Sequence, residues 1–177
     1  IELLVLLHSN PMSFSTAQES YDYGYALGYD AANTLKDHHV KYYECGNEFG
    51  NKCLNHPLQN EPTDYTDEGF AKCSGMQCGM LDGIHDADPD AKGVMQGRPA
   101  YTKRMWDEGN RQWDITGIHA YDPEDIISED MDIYSGQARY FVQNFPQPIF
   151  VTEFGGFPAR LTEQERADWL IENFNKW

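Results

Sequence analysis

Short apolar runs alternate with stretches of helical period along this chain, and that alternation narrows its fold more than any other feature. Leu3–Leu7 is a near-continuous apolar run and is followed by the turn-forming residues His8-Ser9-Asn10-Pro11-Met12. Tyr21, Tyr25, Gly28, Ala32 and Leu35 then recur on one face of a helix that ends near His38. Val40–Cys45 reads as the next strand. Thr66 or Asp67 caps a helix whose inward face is Phe70, Cys73, Met80, Leu81 and Ile84, and Asp88-Pro89 ends it. Gly93–Gln96, Ile115–His119 and Ile149–Thr152 are further strands, with helices over Tyr101–Asn110 and Met131–Asn144 between them. Thr162 and Glu165 form a capping box before a last helix with Ala167, Leu170, Ile171 and Phe174 as its apolar stripe. About five strands, each followed by a helix, mean a parallel sheet covered by helices. Leu3–Leu7 has the apolarity of a strand buried on both faces.

The kind of parallel sheet follows from what stands at the strand ends. A doubly wound nucleotide binder carries a Gly-rich phosphate loop after its first strand, whereas Leu7-His8-Ser9-Asn10-Pro11 offers no such nest and no Walker-type lysine occurs. Polar residues recur instead at the carboxyl ends of several strands: His8, Glu48, His119 with Tyr121, and Glu153. That distribution suits a (β/α)8 TIM barrel, whose chemistry sits on the carboxyl face of its strands. Five units are three short of closure. The expectation is therefore an α/β chain, with residues 1–177 forming a single catalytic domain that is an incomplete barrel. Its sheet is completed by further strands or by association with another chain.

Charge limits the ligands. Asp and Glu number 29 against 13 Lys and Arg, for a formal net charge of -16 in 177 residues. Binding to a nucleic-acid backbone, an anionic membrane or a strongly anionic polysaccharide is disfavoured, and a neutral oligo- or polysaccharide fits. No apolar stretch approaches the roughly 20 residues of a membrane span, and Ile1–Leu7 lacks the basic leader of a signal peptide. Cys45, Cys53, Cys73 and Cys78 are clustered, but their spacing is looser than that of structural zinc sites. Any disulfide would join the Cys53 loop to the helix of Cys73 and Cys78, and an even, clustered count leans towards a secreted or periplasmic protein.

Three motifs in order then match a family. Asn47-Glu48, preceded by Tyr43-Glu44-Cys45-Gly46, resembles the acid/base strand of the retaining glycoside hydrolases of clan A, strand four of their barrel. Val151-Thr152-Glu153-Phe154-Gly155 resembles their nucleophile strand, strand seven. Gly117-Ile118-His119-Ala120-Tyr121 is similar to strand six, whose His and Tyr line the sugar site, and Asp88–Lys92 is similar to the lead into strand five. The resemblance implies a barrel represented by strands three to seven and a retaining O-glycosyl hydrolase that needs no cofactor. It makes Glu48 the acid/base and Glu153 the nucleophile. Strands one, two and eight have no counterpart, and Trp177 does not stand in for the strand-eight Trp.

The residues support the same chemistry directly. Glycoside hydrolysis needs one protonated carboxyl group to donate to the leaving oxygen and one ionised group to attack the anomeric carbon. Asn47 can hydrogen-bond a sugar hydroxyl, and Glu48 is the better acid if its surroundings are apolar. Tyr121 can donate to Glu153 and keep it ionised. Tyr101, Phe154 and Phe157, with Trp106 behind them, are candidate stacking surfaces for sugar rings. Arg98, Asn10 and Asp122 are candidate hydroxyl partners, His8 stands between substrate contact and loop structure, and Trp113 reads as packing. Glu44 shares the strand parity of Glu48 and reads as structural. Two other readings remain: a metal-dependent hydrolase built on His8, Glu48, His119 and Glu153, and a non-catalytic sugar-binding partial barrel.

Overall fold

The computed structural model describes residues 2–55, 61–110, 113–121, 137–154 and 162–174, with Phe154 and part of the last helix described by backbone alone. Strands β1 (Leu4–Leu7), β2 (Tyr42–Cys45), β3 (Lys92–Gln96), β4 (Ile115–Ala120) and β5 (Ile149–Phe154) lie side by side in chain order. Each is parallel to the next. Helices α1 (Ala17–Leu35), α2 (Asp67–Ala87), α3 (Pro99–Asp107), α4 (Gln137–Asn144) and α5 (Glu163–Phe174) follow the five strands in turn. Leu4 pairs with Tyr42 and Leu6 with Glu44, so these side chains share one face of the sheet.

That face is concave. Four adjacent strands laid flat would hold β2 and β5 about 14 Å apart at the usual spacing of about 4.8 Å. Yet Thr152 Oγ1 on β5 donates to Glu44 Oε1 on β2 at 2.9 Å, and the rings of Tyr42 and Phe150 are 5.3 Å apart. The sheet is therefore curled into a half-barrel, with its helices on the convex side. A bulge between Ile118 and His119 shifts the register of β4 against β5, which increases local bending at the rim.

Local sequence sets the helix ends. Thr16 Oγ1 accepts from the Glu19 amide at 3.1 Å while Glu19 Oε2 accepts from the Thr16 amide at 3.3 Å, a reciprocal box that starts α1. Thr66 Oγ1 caps α2 through the Gly69 amide at 3.3 Å. Glu165 Oε2 accepts from the Thr162 amide at 2.7 Å, the expected box ahead of α5. Helix α3 begins at Pro99 rather than Tyr101, because proline is pre-set for a first helical position and loses no needed amide there. Of the helix expected over 131–144, residues 131–136 lie outside the described residues.

The core lies between sheet and helices. Tyr43, Met76, Met80, Leu81, Ile84, Met95 and Ile118 are fully buried there. α1 and α2 touch backbone to backbone: a Cβ on Gly28 would stand 2.2 Å from Met80 O, and one on Gly83 would stand 2.1 Å from Tyr25 O. A second cluster, Trp106, Trp113, Tyr140, Phe141 and Phe145, joins α3, the lead into β4, and α4.

Two expectations are corrected. Leu3, Leu4 and Leu6 are exposed, and Leu7 alone of the first run is buried. Among the described residues β1 pairs with β2 alone, and its concave side faces the open interior of the half-barrel. Ile171, placed in the inward stripe of α5, is 62% exposed. The four cysteines are buried free thiols, although Cys53 and Cys73 do meet: both thiols donate to Phe49 O, at 3.8 and 3.4 Å. The shared contact pulls Cys53 below its usual range and raises Cys73, because one thiolate is favoured by the other's proton.

Candidate active site

The turn after β2 aims Glu48. Gly46 has φ +85, and a Cβ there would lie 2.7 Å from the Phe49 ring, so both backbone and space require glycine. Its amide donates to Leu7 O at 2.9 Å, which ties the turn to β1. Glu48 itself is left-handed at φ 50, an unusual state for a side-chain-bearing residue. Its amide donates to Gln96 Oε1 at 2.9 Å, and its Oε2 accepts from Asn51 Nδ2 at 3.1 Å.

His119, at the end of β4, gathers the carboxylates. Its Nδ1 is 3.3 Å from Glu48 Oε1 and 3.5 Å from Glu153 Oε2, and its Nε2 is 3.5 Å from Glu44 Oε1. The shared nitrogen brings the oxygens of Glu48 and Glu153 within about 7 Å of each other. Tyr121 Oη donates to Glu153 Oε2. Burial pulls the His119 pKa down, but Glu44, Glu153 and Glu48 together outweigh it and hold the ring above its ordinary value. Burial first, and then the bond to Glu153, push the Tyr121 phenol up. Glu48 and Glu153 are each 38% exposed, whereas Glu44 and His119 are buried. The surroundings of Glu48 are polar, with Asn51 and His119 flanking it, so the apolar condition attached to its role as the acid is not met.

Glu48, His119 and Tyr121 border an open pocket of about 200 Å³ together with Gln96, Arg98 and Gln137, whereas Glu44 and Glu153 are not among its lining residues. Asn47 is half-buried beside it, and its Oδ1 is buried without a partner among the described residues. His8 is exposed and packs against Phe49 with ring centres 6.2 Å apart rather than lining the pocket. Asn10 caps the turn Pro11–Ser13 through the Met12 amide.

Tyr101 is corrected from a subsite residue to a buried one. It is fully enclosed in α3, and its Oη donates to Gln77 Oε1 at 2.8 Å. The chain turns into α3 at Pro99, two residues early, so Tyr101 falls on the inward face. Trp106 likewise packs on Trp113 and Phe145 and not on the pocket. The side chain of Phe154, and Asp122, Gly155 and Phe157 entirely, lie outside the described residues. Sequence reading passed over Gln96, Asn51 and Gln137. Gln96 carried the usable signal: like Glu153, it is a polar residue closing a short apolar strand.

Among the described residues no group of three or more His, Cys, Asp or Glu side chains is arranged to hold a metal ion. The Glu44–Glu48–Glu153–His119 cluster sets one imidazole between three carboxyl groups at 3.3 to 3.5 Å.

A curled parallel sheet of five sequential strands, a half-barrel, is consistent with a partial TIM barrel. Among solved structures, the chain is similar to the Ignisphaera aggregans GH53 catalytic domain, with a TM-score of 0.60 at 16% identity over 98% of this chain. The match covers 53% of that domain, so the chain spans about half its length. No protein-family model and no curated protein matches the sequence.

Proposed function

We propose that this chain carries the catalytic carboxyl pair of a retaining β-glycoside hydrolase acting on neutral oligo- or polysaccharides. The observation that carries the reading is the joint placement of Glu48 and Glu153 about one imidazole, with a tyrosine hydroxyl committed to Glu153. Glu153 is the nucleophile: Tyr121 Oη donates to its Oε2 and so holds the carboxylate in place for attack. Glu48 is the acid/base: it lines the pocket and shares His119 Nδ1 with Glu153. In the first step Glu153 bonds to the anomeric carbon while Glu48 passes its proton to the departing oxygen. In the second, Glu48 takes a proton from water, which displaces Glu153.

Retaining pairs stand about 5 to 5.5 Å apart and inverting pairs about 6.5 to 9.5 Å, and the ceiling of about 7 Å on one pair of oxygens leaves room for the retaining separation. Asn47, with its free buried oxygen, is assigned to a sugar hydroxyl donor. The similarity in fold to a GH53 catalytic domain agrees with this chemistry, and the net charge of -16 favours an uncharged polymer.

The test is a screen on aryl β-glycosides and neutral β-glucans, mannans and xylans, followed by incubation with a 2-fluoro-glycoside. The trapped sugar is expected on Glu153. Glu48→Ala is expected to keep far more activity on substrates with good leaving groups, and azide to restore part of the rest. Labelling of another residue defeats the nucleophile assignment, and saccharide binding without any turnover makes the chain a lectin-like partial barrel.

A further inference from the structure

Beyond the two carboxyl groups and their immediate neighbours, one buried amide is built into the site without touching a reacting atom. Gln96 closes β3, is 5% exposed, and offers Oε1 to the Glu48 amide at 2.9 Å. Glu48 is the residue whose backbone is strained, and its φ of 50 puts its carboxyl between Asn51 and His119 rather than along the strand direction. Such a conformation persists only where surrounding contacts over-determine it.

Gln96 is itself fixed from behind. Gln77 on α2 donates through Nε2 to both Gln96 O, at 3.0 Å, and Cys45 O, at 2.9 Å. One amide from the helix layer therefore clamps the ends of two adjacent strands. Tyr101 Oη in turn donates to Gln77 Oε1, which sets the amide's orientation, and both Gln77 and Tyr101 are fully buried. The series Tyr101, Gln77, Gln96, Glu48 runs from the helix layer to the pocket through hydrogen bonds of 2.8 to 3.0 Å.

We propose that Gln96 is the positioning residue of the acid/base: its side-chain carbonyl holds the left-handed Glu48 backbone and so aims the proton at the leaving oxygen. The proposal rests on the hydrolase reading above. Its physical content is orientation. A small displacement of a catalytic group costs about 100-fold in rate, and the loss falls on substrates that need protonation of the leaving group.

Gln96→Met keeps length and volume but removes the acceptor, while the Gln96 backbone carbonyl still receives Gln77. Gln96→Glu keeps an acceptor of the same reach. Two readouts separate the inference from the hydrolase reading. Exchange of the Glu48 amide, followed by NMR, is expected to be slow in the wild-type chain and in Gln96→Glu and to quicken in Gln96→Met, with the melting transition retained. On glycosides with poor leaving groups, kcat of Gln96→Met is expected to fall about 10- to 100-fold with KM little changed, shrinking to a few-fold on dinitrophenyl glycosides. Slow exchange that persists in Gln96→Met overturns the backbone hold whatever the activity. Faster exchange with equal losses on good and poor leaving groups overturns the link to proton donation. A wild-type chain with no turnover at all defeats the hydrolase reading, and the exchange experiment still decides whether Gln96 holds Glu48.

Discussion

Glu48 sits in a left-handed conformation that costs an ordinary side chain about 1–2 kcal/mol, and the contacts that outweigh the cost identify the residues that matter. Gln96 fixes its backbone, and Asn51 and His119 take its two oxygens. On the opposite rim Tyr121 serves Glu153. Removing that donor leaves a charged acceptor without its partner, a loss of about 1.5–3 kcal/mol for a hydrogen bond to an ion. Tyr121→Phe is therefore expected to lower kcat about 10- to 100-fold, with a smaller change in KM, in steady-state assays on an aryl glycoside. An unchanged kcat would remove Tyr121 from the machinery. His119 and Glu153 were legible in the sequence because each lies at the carboxyl end of a strand, and Glu48 because it stands in the short turn just past one. Tyr101 was misread because aromatic content says nothing about direction: a two-residue shift in the start of α3 turns it from pocket to core.

At the scale of elements, the convex layer depends on two helices that meet without side chains between them. The periodicity of α1 placed Gly28 on its inner face, but an apolar pattern does not reveal that the neighbouring helix presents glycine as well. Gly83 lies 2.1 Å, by its hypothetical Cβ, from Tyr25 O, which is backbone and does not rotate away. Gly83→Ala is expected to force α1 and α2 apart and to destabilise the fold by about 1–3 kcal/mol, the usual range for overpacking. Denaturant titration checks it, and a neutral effect would show that the two helices slide freely. A second device sits at the amino end of the sheet, where His85 of α2 meets Asp114 at 2.8 Å and Lys92 of β3 lies 3.2 Å from the same carboxylate. The bond to Asp114 raises the His85 pKa against the effect of burial. Burial pushes Asp114 up, but the His85 bond and the Gly93 amide outweigh it and hold it low. A raised histidine contributes stability below its unfolded value of 6.5 and loses it as pH climbs through the folded value. A lowered aspartate contributes above 3.8 and loses it as pH falls through the folded value. The pair thus contributes most between about pH 4 and 6.5. His85→Gln is expected to cost about 0.2–1 kcal/mol in that window, as for a partly exposed pair, and less at pH 8. A difference that grows with pH would reverse the assignment.

For the whole molecule the question is what faces the concave side of β1. Five parallel strands and the alternation that produces them were legible because each strand and each helix carries its own period, whereas the fate of the first run was not. Apolarity marks Leu4 and Leu6 as residues that belong in an interior, but it does not say which segment supplies the other wall. In the half-barrel they are 38% and 47% exposed, and Val151 on the opposite edge strand is 40% exposed. Burying a leucine fully is worth about 1.5–3 kcal/mol, so these rows gain several kcal/mol if further strands continue the curl. The fold similarity points the same way, since 98% of this chain accounts for 53% of the GH53 domain. Open parallel edges also offer unpaired amides and carbonyls to any other strand. The 177-residue chain studied alone is accordingly expected to bind a hydrophobic dye and to associate in sedimentation, and added β/α units, supplied in the same polypeptide or by a second one, are expected to abolish both. Turnover should rise together with that closure, because Glu48 and Glu153 sit on the rim that the added strands would complete and a closed rim excludes water from the pair. A lone chain that stays monomeric, melts in one cooperative step and leaves the dye dark would show that five units suffice, and the fold would then be a self-contained curled sheet instead of part of a barrel.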